Sequence, residues 1–348
     1  MLSIAVTEPG KLEVIEVPEP EPGPYEVKVR NEVAALCNAT DRKLIEGHFP
    51  GVNDYPLLLG HETAGEVVKV GEKVRSFKIG DTTIGSLLLN PTDSNYNSGW
   101  GGFSEYTIIK DHKAMAEDGV ANEDHGWSAV NKIMLPVKGD ITIEDAVLLC
   151  TWREVYAGLE DFDIKNNDDI KNILIFGAGP VGMSFLKLLQ LEEMDFIGVV
   201  DPLENKRKLA LKMGADAVYK PKEDILSSIN NDIGEKLDAV VDAVGMESII
   251  NQSLSLIKMA GSVCVYGVID KPTINIKKED APYNFNVLFH QWPTRDREAA
   301  AQKPLVKLIE ENKINHKDFV TAEFPIEKIE EAFEASKSGE NLKILLRY

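Results

Sequence analysis

The sequence predicts an α/β protein of two domains, one mostly β and the other a doubly wound parallel sheet. Three observations predict it. A chain of 348 residues is longer than one ordinary core and calls for two domains. The first 150 residues carry short runs with β-branched residues at near alternation, separated by Gly, Pro and Asp. From Asn172 the rhythm changes to continuous apolar runs alternating with helical periodicity, the order of a parallel sheet wrapped by helices.

In the first region, residues 25–36 (YEVKVRNEVAAL) and 63–71 (TAGEVVKVG) read as strands of a mixed or antiparallel sheet. Residues 16–24 (EVPEPEPGP) form a Pro-punctuated connection, and 85–109 read as a strand, a polar loop with its cluster at 95–102, and a second strand. In the second region, 172–177 (NILIFG) is a buried strand, and 180–193 repeats apolar residues at helical spacing through Val181, Phe185, Leu188 and Leu189. The run 196–201 (FIGVVD) is a second buried strand, and 205–216 a second helix closed by Gly214. Residues 238–245, 246–261 and 262–270 continue as strand, helix and strand. Two amphipathic helices follow at 304–314 and 326–339, and 342–348 (LKILLRY) is a final strand.

Composition removes several function classes. A formal charge of -19 repels phosphate backbones and anionic lipid surfaces, which argues against nucleic-acid and peripheral-membrane roles. No apolar run approaches the ~20 residues a bilayer span needs. The N-terminus lacks a basic start followed by an apolar stretch, so a secretory signal is not expected. Three cysteines, an odd and small number, exclude a disulfide scaffold and point to a reducing cytoplasm.

The stretch IFGAGPVGM places Gly177, Gly179 and Gly182 in G-x-G-x-x-G spacing between a buried strand and a helix. Gly177 permits the tight turn, Gly179 lets a pyrophosphate approach the backbone, and Gly182 lets helix and strand pack closely. The helix that opens with Pro180 and Val181 offers free N–H groups to phosphates. The next strand ends in Asp201, whose carboxylate can accept the ribose hydroxyls and repel a 2′-phosphate. The candidate cofactor residues are therefore Gly177, Gly179, Pro180, Val181, Gly182 and Asp201, and the expected cofactor is NAD rather than NADP. Lys206 and Arg207, five residues on, keep NADP open but are read as a solvated helix face.

The cysteines pose a separate question. Cys264, inside SVCVYGV, fits simple core burial. Cys37 stands before a polar stretch (NATDR) read as a turn, His61 between Gly60 and Glu62, and Cys150 at the end of EDAVLLC. Taken singly, Cys37 and Cys150 fit core cysteines and His61 a structural histidine. Taken together, two thiolates and an imidazole suit zinc with a fourth position open, the ligand set that the general chemistry of zinc illustrates with alcohol dehydrogenase. Two thiolates cancel the charge of the ion, and Glu62 is a neighbouring carboxylate or an exchangeable ligand. Spacing alone leaves both readings open.

The motifs GHETAGEV, VGEKVRSFKIGD, GGFSEYTII, GAGPVGM, KMGADAV and DAVG stand in the order found in the zinc-containing medium-chain dehydrogenase/reductase family, and the chain resembles that family from Ile4 to Tyr348. The resemblance implies a GroES-like catalytic domain from residues 1–150 and 295–348 around a Rossmann NAD-binding domain at 151–294. It implies Cys37, His61 and Cys150 as zinc ligands, Cys150 standing eight residues before Gly158 at the start of a connecting helix. Two departures matter. The loop 87–101 contains none of the four cysteines that hold a structural zinc in many members, so one catalytic ion per chain is expected. The hydroxyl usually found two residues after the first cysteine is replaced by Ala39, with Thr40 one residue later and Asp41 after it, so Thr40 becomes the candidate proton relay.

The reaction implied is hydride transfer between the carbinol carbon of a polyol or sugar and NAD, with zinc polarising the alcohol oxygen. Asn38, Arg42, His48 and Glu154 are candidate polar contacts to the substrate. A simple secondary alcohol or an amino alcohol such as threonine is the runner-up substrate. A zinc-free quinone or enone reductase on the same fold and a non-catalytic dinucleotide sensor are the rival readings. By resemblance alone, a homodimer or homotetramer is expected, joined through an edge strand within 262–277.

Overall fold

The computed structural model describes residues 1–269 and 271–348; the predicted strand 262–270 ends at Asp270, which lies outside them. The chain divides into two units, Met1–Arg153 with Arg295–Tyr348, and Glu154–Thr294.

Among the described residues, the first unit holds a seven-stranded and a four-stranded sheet. In the larger, strand Glu26–Ala35 lies between strands Thr63–Val70 and Lys343–Arg347, antiparallel to both. Its partners run Ala34 to Thr63 and Ala35 to Leu345, so residues just past Ala35, just before Thr63 and at Lys343 meet at one end of three adjacent strands. That register creates the site described below. Helix Asn38–Ile45 leaves the sheet immediately after Cys37, and the burial of Leu44 with Ile4, Phe103 and Leu346 docks it. Each large side chain fully buried in this way contributes ~1.5–3 kcal/mol.

The second unit, among the described residues, is a six-stranded parallel sheet. Its strands follow the order 217–219, 196–200, 172–176, 237–242, 257–265, 286–289. The order reverses between Asn172–Phe176 and Leu237–Asp242, and ligands of such sheets bind at the carboxyl ends of the strands at that crossing. Leu174, Phe176, Val240, Val263, Ile250 and Leu254 form its core, which is why these strands read as unbroken apolar runs.

Several boundaries differ from the sequence expectation. The polar stretch after Cys37 is a helix rather than a turn, because Asp41 reaches back to the Cys37 N–H at 2.9 Å and satisfies a helix-start donor. Helix Glu247–Leu256 stops five residues before the predicted end at 261, and Ile257–Val265 is strand. The predicted helix 304–314 begins instead at Arg295 and runs to Glu310 with Pro304 inside it. Its buried face, Glu298, Ala301, Gln302, Leu305, Val306 and Ile309, keeps helical spacing across the proline, and that burial outweighs the lost hydrogen bond. On this side of the parallel sheet the edge strand is Asn286–Phe289, so the strand within 262–277 is an inner one and the predicted edge is displaced. Gly158 lies in the last turn of helix Ile143–Asp161 rather than at its start. Among the described residues, no helix is long and apolar enough to cross a membrane.

Candidate metal centre and dinucleotide turn

Gly60 explains how His61 reaches the site. Its φ of +104° is a left-handed conformation, and a Cβ there would lie 2.3 Å from the Phe103 ring. The chain can therefore press onto Phe103 and turn His61 and Glu62 toward the end of the sheet, where Cys37 caps its helix. One donor atom each from Cys37, His61 and Glu62 lies within 4.8 Å of the others. Among the described residues this is the cluster of His, Cys, Asp and Glu donors with metal-binding separations.

Charged partners surround the cluster. Asp41, fully buried on the first helical turn after Cys37, faces His61 Nδ1 with Oδ1 at 3.2 Å. Burial pulls the imidazole toward its neutral form, but the facing Asp41 carboxylate, reinforced by Cys37, outweighs it and raises the His61 pKa well above the ordinary histidine value. Lys343 Nζ lies 2.5 Å from Glu62 Oε2 and donates to Thr151 Oγ1 at 3.3 Å, while Thr151 Oγ1 donates to Glu62 Oε1 at 3.3 Å. Burial opposes the Lys343 charge, and Glu62, Cys37 and Asp41 more than restore it, so the ammonium titrates above the usual lysine range. The Trp100 ring sits 5.3 Å from the His61 ring and meets Phe49 edge-on at 5.4 Å, giving the histidine an aromatic neighbour.

Cys150 stands outside the group of three. Its thiol sits on helix Ile143–Asp161 and donates weakly to the Thr63 carbonyl at 3.9 Å. Burial, with Glu62 adding to it, pushes the thiol up to about 11, so in the metal-free protein it is protonated at neutral pH. The adjacent Thr151 anchors this stretch of helix to Glu62, which holds Cys150 near the cluster although it is distant in sequence.

The donors fit a metal ion. Asp41 Oδ1, His61 Nδ1 and Glu62 Oε2 are buried, yet each faces its charged neighbour without completing a well-aligned hydrogen bond. Zinc lies ~2.0–2.3 Å from thiolate, imidazole and carboxylate donors, so atoms within 4.8 Å of one another need only small side-chain shifts to share one ion. A sulfur, a nitrogen and an oxygen donor suit zinc better than a hard cation.

Sequence reasoning found Cys37, His61 and Glu62, which the fold brings together. Thr40 is half-buried on the same helix as Asp41. Of the candidate substrate contacts, Arg42 donates to Glu46 at 2.7 Å on the surface, Asn38 accepts from Ser336 at 3.1 Å, and His48 is exposed. Two residues were missed. Asp41 was noted only as the residue after Thr40, although an acidic residue one helical turn past Cys37 was its signal. Lys343 was read as part of a strand, although a lysine opening the apolar run KILLR is itself unusual.

In the second unit the glycines act through backbone geometry. Gly177 has a φ of +97°, and a Cβ on Gly182 would lie 1.8 Å from the Gly177 carbonyl. Gly179 caps helix Pro180–Leu189, with Pro180 as its first residue and open space where a Cβ would point. Asp201 accepts from the Ala178 and Leu203 N–H groups, each at 2.8 Å, which fixes its carboxylate at the turn. Lys206 and Arg207 are buried rather than solvated, a correction to the sequence reading. The Arg207 guanidinium donates to the Asp201 and Pro202 carbonyls at 2.7 and 2.9 Å, and this burial on the Asp201 loop is what takes it off the solvated face.

A GroES-like unit with this donor cluster and a parallel sheet with this glycine turn are matched by two family models. Residues 23–117 match the alcohol dehydrogenase GroES-like domain and residues 180–291 the zinc-binding dehydrogenase domain. The chain belongs to the zinc-containing medium-chain dehydrogenase/reductase family. Within it, the chain is 26% identical to a sorbitol dehydrogenase of Bombyx mori over 95% of this chain and 93% of that protein. The fold is shared with an Escherichia coli alcohol dehydrogenase in complex with NADH, at a TM-score of 0.80, 19% identity and 100% and 99% coverage of the two chains. A Sinorhizobium meliloti structure bound to NADP is similar at a TM-score of 0.79, 21% identity and the same coverage. This family membership makes the protein an oxidoreductase of the alcohol dehydrogenase type.

Proposed function

We propose that the protein is an NAD-dependent zinc dehydrogenase that oxidises a secondary hydroxyl of a polyol or sugar. The observation that carries this reading is the convergence of Cys37, His61 and Glu62 at one end of the sheet, with Asp41 behind His61. Likeness to sorbitol dehydrogenases over nearly the whole chain supports the substrate class.

Cys37, His61 and Glu62 would hold the zinc, with Cys150 the further thiol the sequence motif supplies. A zinc held there would supply Lewis-acid polarisation of an alcohol or carbonyl oxygen, and a nicotinamide cofactor would supply the hydride acceptor or donor. Asp41 orients the imidazole and makes it a better donor, as a carboxylate behind a ligating histidine does. We assign the proton relay to Thr40 Oγ1, one helical turn from Cys37. Asp201 reads the ribose: its charge disfavours a 2′-phosphate and favours NAD.

The reading is tested by following NADH absorbance over a panel of polyols, aldoses and simple alcohols, with zinc analysis of the same preparation. Turnover of polyols, abolished by a strong chelator and restored by zinc, is the expected result. Turnover by metal-free protein, or a reaction confined to quinones or enones, would overturn it.

A further inference from the structure

Lys343, Glu62 and Thr151 form a buried triangle against the donor cluster. Glu62 is 5% exposed and Lys343 3%, and both carboxylate oxygens already face protein donors: Oε2 the ammonium and Oε1 the Thr151 hydroxyl. The same carboxylate belongs to the donor cluster with Cys37 and His61. One buried group is thus shared between a fixed cation of the protein and a metal site. The sheet register makes this arrangement, because Lys343 opens the strand paired beside Ala35 while Glu62 immediately precedes the strand on its other side.

We propose that Lys343 is a positioning residue that competes with the metal for Glu62, keeping this carboxylate an exchangeable donor and tempering the affinity of the site. The competition is electrostatic and rests on the metal reading above. A buried ammonium and a divalent cation that share one carboxylate repel each other in a poorly screened pocket, so each weakens the other's hold on it. A merely structural lysine would act in the opposite direction: its loss would loosen Glu62 and weaken the site.

The test is metal competition against a chromophoric chelator, using zinc and the full-length wild type, K343Q, K343R and the double variant K343Q/E62Q. Gln keeps a hydrogen-bonding group beside Glu62 and removes the charge. Zinc binding by K343Q is expected to be tighter than wild type by about tenfold or more. K343R should match wild type, and K343Q/E62Q should lose the gain. Cobalt substitution gives a second readout, with a visible band shifted in K343Q and unshifted in K343Q/E62Q. K343M, which removes the same charge with an unbranched apolar side chain, keeps the proposal testable if K343Q does not fold and should tighten binding in the same direction. Equal or weaker binding by folded K343Q, or by K343M in its place, would overturn the proposal while leaving the metal reading intact. Failure of the wild type to bind zinc would sink the metal reading and this proposal with it.

Discussion

The dinucleotide turn gathers its parts from the consecutive residues 177–182, whereas the donor cluster and its partners come from four distant segments around residues 37–41, 61–62, 150–151 and 343. The first is built from missing side chains and the second from paired charges. At Gly182 a Cβ cannot be accommodated, since the clash is with backbone, but a charge pair can be weakened in steps. The two units should therefore fail differently when altered.

The largest effect is expected at Gly182. G182A drives a methyl group into the Gly177 carbonyl and should destabilise the nucleotide unit by about 3 kcal/mol or more, read by chemical denaturation. Dinucleotide binding should go with it. G179A, with open space around the new methyl, should change stability by only about 0.5 kcal/mol while still weakening dinucleotide binding. Equal destabilisation by both would remove the distinction between a packing glycine and a ligand-facing one.

On the other side of the comparison, D41A should lower zinc affinity by roughly 10–100-fold, as loss of a carboxylate behind a ligating histidine does. NADH binding, followed by fluorescence, should be unchanged. A fall in both would break the separation of the two regions.

How far each region could be read in advance follows the same division. Gly177, Gly179, Gly182 and Asp201 were legible because strand, turn and helix lie in one continuous stretch with its own periodicity. Cys37 and His61 were legible only through family motifs, since their meeting depends on the pairing of Glu26–Ala35 with Thr63–Val70. Lys343 carried only a faint signal, a lysine at the head of an apolar run. Its role depends on a strand near the C-terminus pairing beside Ala35, a contact that no local pattern announces. The burial of Arg207 escaped for a related reason: its partners are main-chain carbonyls, which carry no sequence signal.

The pH dependence sharpens the account of the donor cluster. Metal ligands must be deprotonated, and in the metal-free protein His61 titrates well above its ordinary value while the Cys150 thiol is pushed up to about 11. Binding therefore releases protons, and zinc affinity should rise with pH between 6 and 8 by about tenfold per unit for each proton released. An affinity that is flat, or falls with pH, would show that neither group joins the metal.

Smaller effects are expected from conservative changes. T40V should lower turnover several-fold, by about 10-fold at most, and leave zinc content unchanged. D201N should weaken NAD by about fivefold and NADP less, shifting the ratio of the two in a direct binding titration. Equal loss with both cofactors would remove Asp201 from the choice between them.

The most direct measurement is the zinc content of the intact protein by native mass spectrometry, for wild type and for C37A and H61A. The account predicts one zinc ion on each wild-type chain and little or none on either variant. Wild-type protein that stays metal-free in excess zinc, or variants that keep a full ion, would contradict it.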